Sequence, residues 1–493
     1  MNHNVVALEP TGPAGLDSLP LCVDMDGTLL HIDTLHEAAL ATLFSGWRGA
    51  VRLAGSLTRG KAVLKREVAE HWDFDPSTLP YDRSLLDFLR RERATGRRII
   101  LCTASHRLVA EQVARHLGIF DEVIATDGTR NLRGPEKAAA LCERFGEGGF
   151  IYAGNDATDH AVWDCAAAAV VVNAPAAVRR DAETRHRVLA VLGDDAGGRA
   201  WSLRAAVRAL RPHQWVKNGL CLVPPIAAGD VSSMATWAGA LTVALAFCLV
   251  ASSIYIVNDI SDLSADRAHP RKSRRPFASG ELPVAAGLVL APLLLLGGGI
   301  LGWLSGTPET LAVYAACSLG YSARLKEMPL IDVFLLAGLY TIRLFGGGEA
   351  SGHPVSLWLL GFSGFLFLSL ALVKRVSELQ RLLAARKGKA ARRGYTVEDL
   401  IVLQMFGCAS TFASAIVLSL YVQSDTAARV YGHPSMLWGC VPLLLFWQCR
   451  LWLSTARGYM HDDPIVYAAR DWVSWTVFVC LAAVVGLAWP ELS

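Results

Sequence analysis

The sequence predicts two structures in series: an N-terminal α/β domain with a small helical cap, then a C-terminal all-α polytopic membrane bundle of about nine transmembrane helices. Three observations predict this. Short apolar runs alternate with helical stretches over the first 195 residues. Nine long apolar segments follow from residue 213 onward. Of 493 residues, 53% are hydrophobic and only 18% charged, against about a quarter charged in ordinary soluble domains. The mean hydropathy is +0.34. This balance excludes a disordered chain, a nucleic-acid-coating protein and a disulfide-stapled secreted module.

Residues 1–17 read as a flexible N-terminus. They lack the basic start and apolar core of a signal peptide, so the domain at 18–195 is expected in the cytosol. Its strands are expected at Leu19–Val23, Arg98–Cys102, Phe120–Ala125, Gly149–Ala153 and Ala168–Val172. Helical stretches such as Ser84–Thr95 and His106–Leu117 separate them. That alternation predicts a parallel sheet covered on both faces. Thr34–Asp82 has no strand pattern and reads as the helical cap. The eleven cysteines follow no metal or disulfide spacing, and several sit in apolar runs as small hydrophobes.

Residues 196–212 read as a linker and an interfacial helix, with Arg204, Arg208 and Arg211 on one face beside Leu203, Val207 and Leu210. The membrane domain is expected at 213–493. Its apolar segments lie at 213–230, 235–257, 284–304, 307–323, 329–348, 355–373, 401–423, 435–456 and 470–489, most near the ~20 residues that a span needs. Alternate loops hold the basic residues, from Arg267, Arg271, Lys272, Arg274 and Arg275 through Arg324 and Lys326 to the run between Lys374 and Arg393. The opposite loops hold only Arg429. The positive-inside bias then puts the N-terminal domain and the basic loops in the cytosol.

Asp24-Met25-Asp26-Gly27-Thr28-Leu29-Leu30 follows the first strand directly. Two carboxylates at i and i+2 on a strand-end loop can reach one small site, one attacking phosphorus while the other moves a proton. With Thr103 ending the second strand, Lys137 in Gly134-Pro135-Glu136-Lys137, and Gly154-Asn155-Asp156-Ala157-Thr158-Asp159 ending the fourth, the region 18–195 resembles the haloacid dehalogenase superfamily of phosphohydrolases. The resemblance implies a Rossmann-like fold, Asp24 as nucleophile and Asp26 as general acid/base. It implies that Thr103 and Lys137 hold the phosphoryl group. It implies a Mg²⁺ site of Asp24, Asp26 and Asp156, with Asp159 supporting that metal loop. Asn155 departs from the commoner acidic pattern.

Asn258-Asp259-Ile260-Ser261-Asp262-Leu263-Ser264-Ala265-Asp266 lies at the end of the second apolar segment. Spacings of three and four put Asp259, Asp262 and Asp266 on one helical face. Carboxylates gathered this way call for a cation, and Mg²⁺ bridging to substrate phosphates is the usual solution. Arg211-Pro212-His213-Gln214-Trp215-Val216-Lys217-Asn218, the run His269–Pro276, Tyr321–Lys326, Lys374-Arg375-Val376-Ser377-Glu378-Leu379 and Asp462-Asp463-Pro464 accompany it. Together they resemble the decaprenyl-phosphate phosphoribosyltransferase branch of the UbiA superfamily. A second D-x-x-x-D cluster, which aromatic prenyltransferases carry, is replaced by Lys326 and a single Asp332.

The resemblance implies transfer of 5-phosphoribose from phosphoribosyl diphosphate (PRPP) to a polyprenyl phosphate. Asp259, Asp262 and Asp266 would hold Mg²⁺ and the diphosphate, with Asn258 alongside. Lys217, Asn218, Lys272, Arg275, Tyr321, Lys326 and Asp332 would line the substrate site, with Arg343 and Glu349 from the fifth apolar segment. Lys374 and Arg375 would serve the lipid phosphate. Asp462 and Asp463 would bind metal or ribose hydroxyls, or cap the ninth helix. The expected molecule is a multi-pass enzyme of the cytoplasmic membrane that needs Mg²⁺ in both domains and binds no nucleic acid. A homo-oligomer is left open. The N-terminal domain would dephosphorylate the lipid product. The alternative is a UbiA-type prenyltransferase that moves a polyprenyl group onto an aromatic acceptor, with a regulatory or inactive N-terminal domain.

Overall fold

Strand β1 (Leu21–Val23) is buried on both faces, as a central parallel strand must be, and the sheet builds outward from it. The computed structural model describes residues 15–59, 61–127, 130–193, 202–230, 232–384, 394–460 and 463–489. The further strands are β2 (Ile99–His106), β3 (Glu122–Thr126), β4 (Ile151–Gly154), β5 (Ala168–Val172) and β6 (Val188–Leu192). All pair in parallel, in the order β3-β2-β1-β4-β5-β6. The order runs away from β1 in both directions, so β1 and β4 flank a topological switch point. Ligands of open α/β sheets bind in the crevice at the carboxyl ends of such strands. Five strands fall where the apolar runs place them. The sixth, β6, is a further run closing on Gly193 that the sequence reading passed over.

The cap expected over Thr34–Asp82 consists of α1 (Thr34–Phe44), α2 (Trp47–Leu57) and α3 (Lys61–His71). The sheet is covered by α4 (Arg83–Ala94), α5 (Arg107–Leu117), α6 (Pro135–Phe145), α7 (His160–Trp163) and α8 (Ala176–Arg185). Asp33 caps α1 by accepting from the His36 amide at 3.1 Å, and Asp82 caps α4 by accepting from the Leu85 amide at 2.7 Å. The core joins Val23, Met25, Leu29 and Leu30 to Leu85, Leu89, Ile99 and Leu101.

Most of the linker falls outside the described residues. The stretch expected to be interfacial forms α9 (Leu203–Ala209), which buries Ala205 and Ala209 and exposes Leu203 and Val207. The remaining helices are α10 (Val223–Ala228), α11 (Met234–Ser261), α12 (Leu263–Arg267), α13 (Val284–Leu304), α14 (Pro308–Ala323), α15 (Ile331–Ser351), α16 (Leu357–Ala384), α17 (Leu400–Val422), α18 (Asp425–Val430), α19 (Cys440–Ala456), α20 (Pro464–Arg470) and α21 (Trp472–Ala488).

Six of these are long and apolar enough to cross a membrane: α11, α13, α15, α16, α17 and α19, the last two counted with their lead-in turns. A seventh is reached if α20 and α21, bent by 86°, count as one span. Among the described residues, length and composition thus give six or seven spans where nine are expected. The segment at 213–230 begins as a 3₁₀ stretch, Pro212–Leu222, that leads into the short α10. Helix α14 has 16 residues, or about 24 Å at 1.5 Å per residue, short of a hydrocarbon core of about 30 Å.

The described residues condense into two units. One joins those up to Leu210 with Ile256–Leu290, and the other joins Arg211–Tyr255 with those from Ala291 on. The first unit thus takes in a stretch that the sequence reading gave to the membrane domain. In the second, glycines set the closest approaches. A methyl group at Gly347 of α15 would strike the Cys221 backbone carbonyl, and one at Gly407 of α17 would strike the Trp452 ring of α19. All eleven cysteines are free, and Cys408, Cys449 and Cys480 are exposed on α17, α19 and α21.

Candidate active sites

In the first unit, Asp24 and Asp26 leave the carboxyl end of β1 on a turn that Gly27 makes possible. Its φ of +76° suits glycine, and a Cβ there would run into the Asn155 side chain. Thr28 Oγ1 donates to Asn155 Oδ1 at 3.1 Å. Asn155, the departure from the usual motif, thus ties the β1 loop to the β4 loop.

Lys137 Nζ from α6 donates to Asp24 Oδ1 at 2.8 Å and to the Tyr152 hydroxyl at 2.7 Å. Tyr152 donates on to Asp159 Oδ1 at 3.1 Å. Burial pushes the Asp24 carboxyl up to about 7 against the pull of Lys137. Lys137 is shifted upward as well. Burial disfavours its charge, but Asp24 and Asp159 outweigh that and hold it as an ammonium.

Asp26 is gripped by the cap and by β2. It accepts from the Thr34 amide, the first of α1, at 2.9 Å and from Ser105 Oγ. Thr34 Oγ1 and Ser105 Oγ are 2.7 Å apart. Burial lifts Asp26 to about 6, which brings its proton exchange closer to neutrality. Thr103 is fully buried, and its hydroxyl accepts from the Ser105 amide at 3.0 Å. Asp159 Oδ2 accepts from the amides of Asn155 and Asp156 at 2.8 and 3.0 Å, so this carboxylate shapes the loop. Asp156 caps Ala157 at 2.6 Å at the mouth of the same loop. The sequence reading missed Ser105, Tyr152 and Lys65. Lys65 of α3 brings a buried ammonium to the Ala104 carbonyl at 2.6 Å and Asn131 Oδ1 at 2.7 Å.

The first unit also holds the aspartate-rich stretch. Asp259 and Asp266, each 2% exposed, converge on one atom, Arg275 Nη1, at 3.0 and 2.6 Å. Lys272 Nζ stands 3.7 Å from Asp266 Oδ1. Asp262 is half-buried at the junction of α11 and α12, and the helical ladder runs through it: its amide donates to the Asn258 carbonyl at 3.0 Å and its carbonyl accepts from the Asp266 amide at 2.8 Å. Among the described residues, no three His, Cys, Asp or Glu side chains gather as a ready-made metal cage. Mg²⁺ needs none, because it binds through one or two carboxylates plus substrate phosphates and water. Two buried carboxylates aimed at a single point, presently held by a guanidinium nitrogen, fit that requirement.

In the second unit, Asp463 accepts from Lys217 Nζ at 2.7 Å and Lys374 Nζ at 3.3 Å, with the Tyr340 hydroxyl 3.3 Å away. Two ammonium groups on one carboxylate leave a net positive centre suited to a phosphate. Arg343 is buried beside it, donating to Asn218 Oδ1 at 2.7 Å and to the Tyr314 hydroxyl at 3.1 Å. Tyr340 is the residue of this cluster that the sequence did not single out.

Asp332 and Arg375 form a different cluster. Arg375 pairs with Asp332 and Glu378, and the Tyr395 hydroxyl donates to Asp332 at 2.7 Å. These bonds tie α15 to α16, while the buried Arg375 Nε has no hydrogen-bond partner among the described residues. Glu349 is exposed and accepts from Thr310 at 2.6 Å, away from Arg343. Tyr321 and Lys326 are half-buried at the end of α14 and in the turn after it. Asp462 lies outside the described residues.

Two family models match the chain: the haloacid dehalogenase-like hydrolases over residues 21–162 and the UbiA prenyltransferase family over residues 222–457. The uncharacterized protein y4nM of Sinorhizobium fredii is 35% identical over 476 residues, spanning 94% of this chain and 90% of its own length. The two-part arrangement therefore recurs. The decaprenyl-phosphate phosphoribosyltransferase of Mycolicibacterium smegmatis is 32% identical over 57% of this chain and 91% of its own length. That of Mycobacterium tuberculosis H37Rv is 37% identical over 57% and 93%.

Proposed function

Because the chain belongs to the UbiA prenyltransferase family and carries a haloacid dehalogenase-like hydrolase domain ahead of that region, we propose that it makes a phosphoribosyl lipid and then removes its 5-phosphate. The membrane part transfers 5-phosphoribose from PRPP to a polyprenyl phosphate, and the N-terminal domain hydrolyses the product. The observation that carries this reading is the union, in one compact unit, of the Asp24–Lys137 centre with the aspartate-rich stretch.

In the transfer, an oxygen of the lipid phosphate attacks the anomeric carbon of PRPP. The bond from that carbon to the diphosphate oxygen breaks, and diphosphate leaves. Arg275 and Lys272 donate to the diphosphate, and in the second unit Lys217 and Lys374 offer two ammonium groups to a phosphate. The 5-phosphate survives this step. In the hydrolysis, the Asp24 carboxylate attacks phosphorus and Asp26 gives its proton to the departing 5-oxygen. Water then attacks the acyl phosphate, Asp26 takes a proton back, and inorganic phosphate leaves. Lys137 and Thr103 hold the phosphoryl oxygens. When Mg²⁺ is bound by Asp259 with Asp266, or by Asp24 with Asp156, it supplies neutralisation of phosphate charge.

We place both sites on the cytosolic face of the membrane. The basic residues Arg267, Arg271, Lys272, Arg274 and Arg275 between α11 and α13 support that side, and they share a unit with the α/β domain.

The test uses membranes containing the protein, ribose-labelled PRPP and polyprenyl phosphate. Wild type should give dephosphorylated ribosyl lipid. Asp24→Asn should stop at the phosphorylated lipid, and Asp259→Asn should give no labelled lipid. If wild type and Asp24→Asn give the same phosphorylated product, sequential action is wrong. Lipid product formed without PRPP would favour an aromatic prenyltransferase.

A further inference from the structure

Glu37 and Arg267 meet within the first unit although 230 residues separate them. Arg267 Nη1 and Nη2 donate to the two Glu37 oxygens at 2.7 and 2.6 Å, a fork-to-fork pair. Both side chains are buried, at 5% and 3% exposure. Arg267 Nε also donates to the Ala278 carbonyl at 3.1 Å, so the guanidinium is fixed on three sides.

What lies on either side of the pair gives it meaning. Glu37 is one helical turn along α1 from Thr34, whose amide holds the Asp26 carboxylate. Arg267 follows Asp266 directly, and Asp266 with Asp259 grips Arg275. A chain of contacts therefore runs from the proton-transferring carboxylate of one site to the diphosphate-binding carboxylate of the other. It passes through a single helical turn of about 5.4 Å and one ion pair. Its two ends stand on α1 and α12, the helices that carry Thr34 and Asp266.

We propose that Glu37 and Arg267 are positioning residues that hold the phosphatase centre at the transferase's diphosphate site, so that the phosphorylated lipid passes to Asp24 without leaving the protein. This rests on the sequential reading above. The pair binds no substrate itself. It fixes the placement of α1, and with it of the Asp24–Lys137 centre, relative to α12, beside which the lipid-linked ribose 5-phosphate is made. Arginine is required because lysine cannot reproduce the fork.

The test compares full-length wild type, Glu37→Gln, Arg267→Lys and the charge exchange Glu37→Arg with Arg267→Glu in lipid vesicles. Three readouts are followed: total lipid-linked ribose from labelled PRPP, the phosphorylated fraction at early times, and hydrolysis of p-nitrophenyl phosphate. Wild type should release dephosphorylated lipid without a lag. Each single variant should accumulate phosphorylated lipid about tenfold or more over wild type, with total lipid-linked ribose and p-nitrophenyl phosphate hydrolysis unchanged. The exchange should bring the phosphorylated fraction back down.

Single variants that match a dephosphorylating wild type would overturn the coupling alone. Loss of p-nitrophenyl phosphate hydrolysis in step with lipid dephosphorylation would also overturn it, since the pair would then be a strut of the N-terminal fold. A wild type that yields no dephosphorylated lipid would overturn both the coupling and the sequential reading.

Discussion

Asp82 shows how one carboxylate can serve a helix and a loop together. It accepts from the Leu85 amide at 2.7 Å, Ser84 Oγ at 2.6 Å and Asn173 Nδ2 at 2.7 Å. It thereby joins the start of α4 to the turn after β5. Burial works against its charge, but these bonds and His31 outweigh burial and hold the carboxyl below its ordinary value. A depressed folded value means that the stabilisation is present above the unfolded value of about 3.9 and is lost as pH falls through the folded one. Asp82→Ala should cost about 1–2 kcal/mol, read as faster hydrogen exchange in β1 to β5 at neutral pH. The difference from wild type should shrink as pH falls below the folded value.

Residues of this kind also mark where sequence reading stops. Asp24, Asp26 and Lys137 were legible because a contiguous motif and strand-end positions announce them. Tyr152, Ser105 and Lys65 were not, since a tyrosine inside a strand or a lysine on a cap helix looks like any other. Only the fold shows that the Tyr152 hydroxyl links Lys137 to Asp159.

Among the elements, α15 was the least transparent. Its apolar length read as a span, but the run Gly346-Gly347-Gly348 had no interpretation. In the fold, Gly347 lets α15 lie directly on the backbone of the stretch Pro212–Leu222, which carries Lys217 and Asn218. That contact is with a carbonyl, which cannot swing aside as a side chain can. Gly347→Ala should therefore displace this stretch and lower PRPP-dependent transfer sharply while sparing p-nitrophenyl phosphate hydrolysis. Gly407→Ala meets the Trp452 ring instead. It should cost about 1–3 kcal/mol as an overpacked helix contact, seen as a lower midpoint of thermal aggregation in detergent.

Strand β6 was missed for a related reason. A five-residue apolar run carries little information by itself, and only its parallel pairing with β5 makes it a strand. The 16-residue α14 and the 3₁₀ start of the first apolar segment escaped because apolar composition counts residues and not rise per residue.

For the whole molecule, the division into an α/β part and a helical apolar part was visible in composition. The way the chain groups itself was not. No local pattern foretells that Ile256–Leu290 condenses with the α/β domain, or that Glu37 pairs with a residue 230 positions away. Motifs are read along the chain, whereas such pairings depend on the finished fold.

The unpaired cysteines offer a consequence of another kind. Cys408, Cys449 and Cys480 are exposed, but on helices whose surroundings are expected to be acyl chains. A greasy maleimide should label them in intact vesicles, and a sulfonated, water-confined one should not. Each position then becomes a depth gauge for its helix, read by mass spectrometry from the native sequence without engineering a single probe.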